Sequence, residues 1–404
     1  MDKIVLRKSD GRPNGARVRL SASKSESNRL LLIDALAEKK MALENLSTAR
    51  DTQTMQALLT NKPKEWDVKD AGTTMRFLTA FLALKGHGDV ITGTERMQQR
   101  PIGPLVEALR HIGATISYVN KEGYPPLRIE KLVEQKHAEI TIPGNISSQY
   151  ISALLMIAPV LPNGLTIHLS TEVFSRPYIE MTLKLMQKYG VSHVWEGNEI
   201  RIAPQTYRAK EDSYTVESDW SGASYWYAFV ALGKGGLFLP NLHQDSTQGD
   251  QAIVDIMAKM GVQTHYENGG VRLEKGGTIE GMIKWDFRNC PDLAQTVLVV
   301  AAAKGIRIEM TGLESLKIKE TDRVQAMMNE LAKLGAILTE NGSTWTLVPS
   351  KELPDSVEID TYDDHRMAMA FAPLSCLLDV TIHEPDVVKK SYPEFWEEVG
   401  NLKI

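Results

Sequence analysis

Five arginines stand beside predicted helix starts, which is an unusual place for a cation. They are Arg29, Arg76, Arg100, Arg323 and Arg366. Because the helix dipole is positive at its amino end, a helix favours cations at its opposite end. Helix stability therefore does not explain these arginines. A bound anion would explain them, since guanidinium groups and unpaired backbone N–H groups both donate to it. The pattern predicts small substrates that carry phosphates and carboxylates.

Two acids lie within the same cationic motifs and could transfer protons. They are Asp292, and Glu320, which lies between Lys319 and Arg323. Neighbouring positive charge would keep both carboxylates ionised, so a substrate hydroxyl or methylene could be their partner. Two structural explanations remain open at this point: a helix cap for Asp292, and a salt bridge to Lys319 or Arg323 for Glu320.

The elements that must position these residues are helix starts. Eight short polar stretches each precede an apolar helix, at residues 20–29, 70–76, 100–103, 147–150, 175–178, 291–294, 319–323 and 363–366. The first contains Lys24, Ser25 and Arg29, and its helix is predicted to begin near Asn28. Plain capping explains any single stretch, and the caps would be Thr73, Ser147, Ser175, Asp292 and Asp364. Their repetition favours anion binding.

Motifs for metals and nucleotides are missing from the sequence. It has no HExxH, no paired histidines and no Cys/His spacing, so we expect no metal site. It also has no GxxxxGK[ST] and no suitably placed GxGxxG, which argues against a kinase or a dehydrogenase. We therefore expect no cofactor.

A helix that ends at glycine, followed by two strands around a turn, recurs four times. The copies cover residues 108–129, 185–202, 256–273 and 330–347. Their helix-end glycines, Gly113, Gly190, Gly261 and Gly335, are 77, 71 and 74 residues apart. Glycine suits a left-handed helix cap, and dipeptides such as Gly-Asn suit hairpin turns. The regular spacing predicts a repeated α/β unit.

The length of the chain suggests how these units are grouped. Between five and six units fit into 404 residues, so two domains of three units each are the simplest arrangement. We predict that residues 1–20 and 221–404 form one domain and that residues 21–220 form the other. The chain would cross between them near residues 13–22 and 216–222. Two crossings would make a hinge beside a cleft.

Composition narrows the class of protein. With 43% hydrophobic and 24% charged residues the chain is typical of soluble globular proteins, and its net charge of −5 disfavours broad nucleic-acid binding. No apolar run approaches the length of a membrane span, and we expect no leader before the first strand. The two distant cysteines, Cys290 and Cys376, fit a reducing compartment. We expect a cytoplasmic monomer with no nucleic-acid or membrane partner.

From Ser23-Lys24-Ser25 to Lys390-Ser391-Tyr392-Pro393, the motifs and their order resemble the 5-enolpyruvylshikimate-3-phosphate (EPSP) synthase family. That resemblance implies two similar domains, each an inside-out α/β barrel of three βαβαββ-type units, with the active site in the interdomain cleft. It implies transfer of the enolpyruvyl group of phosphoenolpyruvate to the 5-hydroxyl of shikimate 3-phosphate. Phosphate would leave by addition and elimination through a tetrahedral intermediate.

The resemblance also implies roles for individual residues. Asp292 would contact the attacking hydroxyl, Glu320 would exchange a proton with the methylene, and Lys24 would stabilise charge. His365 would support Glu320. The residues implied for shikimate 3-phosphate are Lys24, Ser25, Arg29, Ser147, Ser148, Gln149, Ser175, Tyr178, Asp292, Ser315 and Lys319. The residues implied for phosphoenolpyruvate are Lys24, Gly72, Arg100, Gln149, Arg323, His365, Arg366 and Lys390.

Two positions depart from the pattern that the resemblance implies. Asp70 and Ser315 stand where the family commonly has Asn. A carboxylate at position 70 should weaken an anion site unless it turns away or pairs with Arg76 or another cation. With Ser315 in place of Asn, the contact to the shikimate phosphate would be shorter or mediated by water.

Two other functions are compatible with a similar scaffold. A sister enzyme transfers enolpyruvate to a UDP-sugar, UDP-N-acetylglucosamine, but it typically carries a loop cysteine in its first domain, and this chain has no cysteine before Cys290. A non-catalytic sensor of phosphorylated metabolites is the alternative from another class. Loss of Lys24, Asp292 or Glu320 would have favoured it, and all three are present.

Overall fold

The chain forms two compact units in a computed structural model that describes residues 2–9 and 15–402. We call Ser23–Val216 the inserted unit, and Met1–Ala22 together with Glu217–Ile404 the discontinuous unit. Residues 13 and 14, which belong to the predicted first crossing, lie outside the described residues.

Short helices and strands alternate along most of the chain. The discontinuous unit begins with β1 (Lys3–Leu6) and β2 (Ala16–Arg17). The inserted unit contains α1 (Lys24–Leu36), β3 (Ala42–Glu44), α2 (Arg50–Asn61), β4 (Glu65–Asp67), α3 (Gly72–Lys85), β5 (His87–Thr92), α4 (Glu95–Gln98), α5 (Gly103–Ile112), β6 (Thr115–Tyr118), β7 (Leu127–Glu130), β8 (Glu139–Ile142), α6 (Ser148–Ile157), β9 (Leu165–Leu169), α7 (Arg176–Lys188), β10 (Val194–Glu196), β11 (Glu199–Ile202) and β12 (Ser213–Thr215).

The discontinuous unit then resumes. It contains α8 (Trp220–Leu232), β13 (Leu237–Pro240), α9 (Ile253–Ala258), β14 (Val262–Glu267), β15 (Gly270–Lys275), β16 (Met282–Asp286), α10 (Ala294–Lys304), β17 (Arg307–Thr311), α11 (Arg323–Ala332), β18 (Ile337–Asn341), β19 (Thr344–Val348), β20 (Ser356–Ile359), α12 (His365–Phe371), β21 (Asp379–His383) and α13 (Phe395–Asn401).

Four of the six sheets formed by the described residues share one topology. In each, two strands pair in parallel, the second pairs antiparallel with a third, and the third forms a hairpin with the edge strand. Their orders are β4-β5-β7-β6 and β8-β9-β11-β10 in the inserted unit, and β2-β13-β15-β14 and β16-β17-β19-β18 in the discontinuous unit. The other two sheets are β3-β12 and β1-β21-β20. Three sheets in each unit confirm the predicted α/β fold class of repeated units.

The four predicted helix–hairpin copies are present, with one difference in turn length. Gly113, Gly190, Gly261 and Gly335 all have positive φ at or just beyond helix ends. Three of the hairpins have two-residue connections, at 197–198, 268–269 and 342–343. In the first copy residues 119–126 separate the strands. Two prolines end that connection, and proline cannot donate a ladder hydrogen bond.

Helices fill the interior of each unit, and the sheets expose one face. Every residue of α8 except Ser221 is buried, and α6 is buried at all but one position. Strands such as β8 and β20 instead alternate between exposed and buried residues. A helix that is apolar on all sides is packed against other elements along its whole length. Mainly its ends can then carry polar side chains that contact a ligand.

Across residues 2–9 and 15–402, no helix combines the length and the apolar character that crossing a membrane requires.

Candidate active site

In the inserted unit, α1 begins at Lys24, four residues before the predicted start near Asn28. The hydroxyl of Ser23 accepts a hydrogen bond from the Glu26 amide at 3.3 Å and so caps the helix. Lys24 and Ser25 are therefore its first two residues. Lys24 Nζ lies 2.9 Å from Asp51 Oδ2, a buried carboxylate that the sequence patterns did not single out.

Arg29 is a buried cation surrounded by neutral oxygens. Its guanidinium donates to Thr182 Oγ1 at 2.7 Å, to Ser152 Oγ at 3.1 Å, and to the carbonyls of Ser25 at 2.8 Å and Tyr178 at 3.3 Å. Burial lowers the pKa of Arg29 to about 10, so it stays charged at neutral pH. A buried charge is expensive without a counter-charge, and the four acceptors named above are all neutral oxygens. Arg29 is thus suited to an anionic ligand.

The amino end of α3 lies directly against Arg100. A Cβ built on Gly72 would come within 2.8 Å of both terminal nitrogens of the Arg100 guanidinium. Arg76 donates to the carbonyls of Gly72 and Pro101, each at 3.0 Å, so it ties this helix end to the segment that carries Arg100. The Arg100 guanidinium therefore occupies the space beside Gly72.

The Gly72→Ala variant should displace Arg100 without unfolding the protein, because the clash involves the end of a flexible side chain. The family resemblance implies that Arg100 binds phosphoenolpyruvate, so we expect the KM for that substrate to rise by about tenfold, as binding energy of about 1.4 kcal/mol is lost. Steady-state kinetics with that substrate varied measure the change. Gly103→Ala is a matched control, since Gly103 also begins a helix and its added Cβ would lie 3.6 Å from its nearest neighbour. Equal KM values for both variants would contradict the role of Arg100.

Two further helix starts supply hydroxyl and amide groups. Ser147 caps α6 by accepting from the Gln149 amide at 3.4 Å, and Ser148 is the first, buried residue of the helix. The Gln149 side chain donates to Thr73 Oγ1 at 3.1 Å, which joins the starts of α6 and α3. Thr73 was predicted to be a cap, but α3 begins at Gly72, so its hydroxyl is used by Gln149 instead.

Ser175 precedes α7 in a left-handed conformation, with φ of 53°. The sequence predicted an ordinary cap, but the side chain of Ser175 makes no capping hydrogen bond to the helix. Left-handed backbone is unfavourable for residues other than glycine and clusters at functional positions. This strain orients a hydroxyl that the helix does not use. Tyr178, one turn further on, contacts Arg29 through its carbonyl and its ring.

In the discontinuous unit, Asp292 lies among three cations. Its Oδ1 accepts from Arg323 at 2.9 Å and lies 3.7 Å from Lys319 Nζ, while its Oδ2 accepts from Arg366 at 2.9 Å. Asp292 is not a helix cap, because it lies in the 3₁₀ turn Pro291–Leu293 before α10. Burial alone would raise the pKa of Asp292, but Arg366, Lys319 and Arg323 together hold it well below its usual range.

Arg323 joins three carboxylates. It donates through Nε to Asp364 at 2.6 Å and through its terminal nitrogens to Asp292 at 2.9 Å and to Glu320 at 2.8 Å. Arg323 is 2% exposed and Asp364 is fully buried. Asp364 also caps α12, as predicted, by accepting from the Arg366 amide at 2.9 Å. One cation therefore fixes the relative positions of both predicted proton-transfer acids.

The second acid, Glu320, has a further cation beside it. Its Oε1 lies 3.8 Å from Nζ of Lys390, a lysine that is 2% exposed. The salt bridge to Arg323, which the sequence left open as a structural explanation, is present, and Asp322 caps α11. His365, the first residue of α12, is buried and lies 3.6 Å from Asp364.

Asp70 and Ser315, the two departures from the family pattern, have different surroundings. Asp70 accepts a hydrogen bond from Arg50 at 2.8 Å, so its carboxylate is paired with a cation. Ser315 is exposed on the 3₁₀ turn Glu314–Ile318. In the described part of the chain, no hydrogen bond joins its hydroxyl to the carboxylates around Arg323.

Within each unit, polar contacts connect most of the predicted site residues. The inserted unit holds Lys24, Ser25, Arg29, Gly72, Arg100, Ser147, Ser148, Gln149, Ser175 and Tyr178, and the discontinuous unit holds Asp292, Ser315, Lys319, Glu320, Arg323, His365, Arg366 and Lys390. Sequence patterns missed Asp51, Ser152 and Thr182. Helix spacing could have revealed the last two, because Ser152 follows Ser148 by four residues and Thr182 follows Tyr178 by four.

Comparison with known proteins identifies the family. The family model described as EPSP synthase (3-phosphoshikimate 1-carboxyvinyltransferase) matches residues 56–399 of the 404. The chain belongs to the EPSP synthase family. EPSP synthases are carboxyvinyl transferases, so the family resemblance predicted from the motifs is confirmed.

Individual relatives agree with this assignment. A Bacteroides fragilis (strain YCH46) protein named 3-phosphoshikimate 1-carboxyvinyltransferase is 48% identical over 389 residues, covering 95% of this chain and 94% of its own. A protein of the same name from Sulfurovum sp. (strain NBC37-1) is 38% identical over 415 residues, covering 95% of this chain and 96% of its own.

A solved structure shares the EPSP synthase fold. An EPSP synthase from Acinetobacter baumannii superimposes with a TM-score of 0.82 over 100% of this chain and 98% of that one. The two are 21% identical, so this likeness supports the fold. The family model and the named relatives do not favour the alternative of a UDP-sugar transferase.

Proposed function

We propose that the protein transfers the carboxyvinyl group of phosphoenolpyruvate to the 5-hydroxyl of 3-phosphoshikimate and releases inorganic phosphate. The observation that carries this proposal is the arrangement of Asp292 and Glu320 on opposite terminal nitrogens of Arg323, with Lys319, Arg366 and Lys390 around them. Two acids held among cations are suited to proton transfer on anionic substrates.

In the proposed reaction Asp292 and Glu320 each transfer a different proton. The hydroxyl oxygen attacks the carbon that bears the phosphate, Asp292 takes the hydroxyl proton, and Glu320 gives a proton to the methylene carbon. The resulting tetrahedral intermediate then loses a proton from its new methyl group to Glu320 as the carbon–oxygen bond to phosphate breaks. The proton from the hydroxyl passes from Asp292 to the leaving phosphate, so atoms and charges balance.

The cations explain how a weakly basic carboxylate could act as a base. With three cations beside it, Asp292 has a depressed pKa and holds a proton poorly. Substrate phosphates and carboxylates would neutralise part of that positive charge and raise the pKa of Asp292 towards its usual range. Its basicity would therefore increase when the substrates are bound.

We assign the remaining residues to the anionic groups of the two substrates. For 3-phosphoshikimate, Ser25 and Arg29 would bind the carboxylate. Its phosphate side would be bound by Ser147, Ser148, Gln149, Ser175, Tyr178, Ser315 and Lys319. The carboxylate of phosphoenolpyruvate would be bound by Arg323, His365 and Arg366. Its phosphate would be bound by Lys24, Gly72, Arg100, Gln149 and Lys390. The buried charge of Arg29 supports the first of these assignments.

The proposal needs no metal or cofactor, since side chains supply every charge and proton. We further propose that the protein acts as a monomer in the cytoplasm, where both phosphorylated substrates would be met.

Release of inorganic phosphate from the purified protein tests the proposal. Phosphate should appear only when phosphoenolpyruvate and 3-phosphoshikimate are supplied together, and not when either is omitted. Effective replacement of 3-phosphoshikimate by UDP-N-acetylglucosamine would contradict the proposal. Tight binding of both substrates with no release would instead favour a non-catalytic sensor.

A further inference from the structure

Asp250 is a buried carboxylate that the proposed reaction does not use. It lies in the 3₁₀ turn Gly249–Ala252 and is 1% exposed. Its Oδ2 accepts a hydrogen bond from the Ser221 hydroxyl at the start of α8. Its Oδ1 has no hydrogen-bond partner among the described residues. The ionised form of Asp250 is therefore poorly solvated, unlike Asp292, which has three cations beside it.

Hydrogen bonds connect Asp250 to Asp292 through two intervening side chains. One terminal nitrogen of Arg366 donates to Ser221 Oγ at 3.5 Å and to Asp292 Oδ2 at 2.9 Å. Ser221 thus accepts from Arg366 while it donates to Asp250. The guanidinium lies between two carboxyl groups, one of which contacts it directly and the other through a hydroxyl.

We propose that Asp250 is a proton-linked positioning residue, which sets through Ser221 how strongly Arg366 attracts the anionic substrate. The inference rests on the proposed function, because that function assigns Arg366 to the carboxylate of phosphoenolpyruvate. When Asp250 is neutral, Asp292 and Asp219 are the carboxylates that offset the charge of Arg366. When Asp250 is ionised, it adds a further negative charge, and less positive charge remains for a ligand.

Charged and titratable groups surround Asp250 and shift its pKa towards neutral pH. They are Asp292, Arg366, the Asp219 carboxylate that caps α8, and the Cys290 thiol. Burial and then the charge of Asp292 raise the pKa of Asp250 to about 7, against the opposing effects of Arg366 and Ser221. Burial raises the pKa of Cys290 to about 12, so the thiol stays neutral.

The sign of the pH dependence follows from this balance. Below about pH 7 Asp250 is protonated and phosphoenolpyruvate is held more strongly; as the pH rises through that value the added negative charge weakens binding. By linkage, a bound anion raises the pKa of Asp250, so binding near pH 7.5 takes up a proton. The KM for phosphoenolpyruvate should therefore rise by up to about tenfold per pH unit above the pKa.

The test compares wild type with Asp250→Asn, which fixes the side chain in an uncharged form. We would measure kcat and KM for phosphoenolpyruvate from about pH 6 to about pH 8.5. The substrate's own phosphate titrates equally in both proteins, so the difference between the two profiles isolates Asp250. We expect the steep part of the KM profile to be lost in Asp250→Asn, with the effect on KM rather than on kcat. Asp255→Asn, an exposed aspartate on α9, should keep the wild-type profile.

A second measurement keeps the inference testable without turnover. Calorimetric titration with phosphoenolpyruvate, in two buffers of different ionisation enthalpy, counts the protons taken up on binding. We expect less uptake by Asp250→Asn than by wild type near pH 7.5. Equal uptake, or an unchanged KM profile, would overturn the inference. Absence of phosphate release by wild type would overturn the proposed function alone.

Discussion

The Asp292→Asn variant is expected to lose about 10²- to 10⁴-fold in kcat, because an amide cannot take the proton of the attacking hydroxyl. Binding should largely survive. The change removes one negative charge from between Arg323, Arg366 and Lys319, so more positive charge is available to substrate anions. The KM for phosphoenolpyruvate should therefore stay the same or fall. A large loss in kcat without a rise in KM is the signature of an interaction made during the chemical step.

Asp322→Asn is the matched control for this variant. Asp322 lies two residues from Glu320 and caps α11 by accepting from the Gln325 amide at 3.0 Å. Asn caps helices as well as Asp does, so this change should leave both stability and kcat close to wild type. If Asp292→Asn kept kcat within about threefold of wild type, Asp292 could not be the general base.

The Arg323→Met variant should be strongly destabilised, because it leaves three carboxylates without their shared cation. Asp292, Glu320 and Asp364 all contact Arg323, and Asp364 is fully buried. Removing one partner of a buried ion pair costs about 3–5 kcal/mol of unfolding free energy. We expect a loss of that size at neutral pH in denaturant unfolding, together with loss of phosphate release.

The same variant should recover part of its stability at lower pH. Without Arg323, the buried Asp364 carboxylate and its neighbours lose their shared counter-charge, so the folded variant gains from taking up protons. Groups of that kind destabilise the folded state as the pH rises, so the deficit relative to wild type should be larger at about pH 8 than at about pH 5. Arg307→Met removes an exposed partner of Glu309 and should leave the free energy of unfolding nearly unchanged at either pH. An equal deficit for both variants would mean that Arg323 does not hold the carboxylates together.

The repeated architecture could be predicted because it follows from patterns of residues that are close in sequence. Glycines such as Gly190 and Gly335 end helices and have positive φ, and short turns such as 197–198 and 342–343 follow them. These features depend on residues close in sequence, where backbone preference and periodicity act directly. The start of α1 was misplaced because any of the serines before Arg29 could have capped it.

The contacts within the site could not be predicted, since they join residues distant in sequence. Arg323 bonds to Asp292 and Asp364, which lie 31 and 41 residues away, and Arg29 bonds to Thr182, 153 residues away. Residue type suggested anion binding for both arginines alike. Packing decides that carboxylates surround Arg323, whereas neutral oxygens surround Arg29.

The backbone conformation of Ser175 also could not be predicted from the neighbouring residues. Its sequence context, Ser175-Arg176-Pro177, is typical of a capped helix start. The left-handed conformation that removes the cap is imposed by the surrounding fold. Local preference therefore predicted the helix but not what the serine hydroxyl does.

Isotopic labelling of the oxygen that bridges carbon and phosphorus in phosphoenolpyruvate tests the central claim most directly. Transfer of the carboxyvinyl group breaks the carbon–oxygen bond, so the label should leave in inorganic phosphate. The organic product should be 3-phosphoshikimate that carries a carboxyvinyl ether, as detected by mass spectrometry. Label retained in pyruvate, or unmodified 3-phosphoshikimate after phosphate release, would contradict the account.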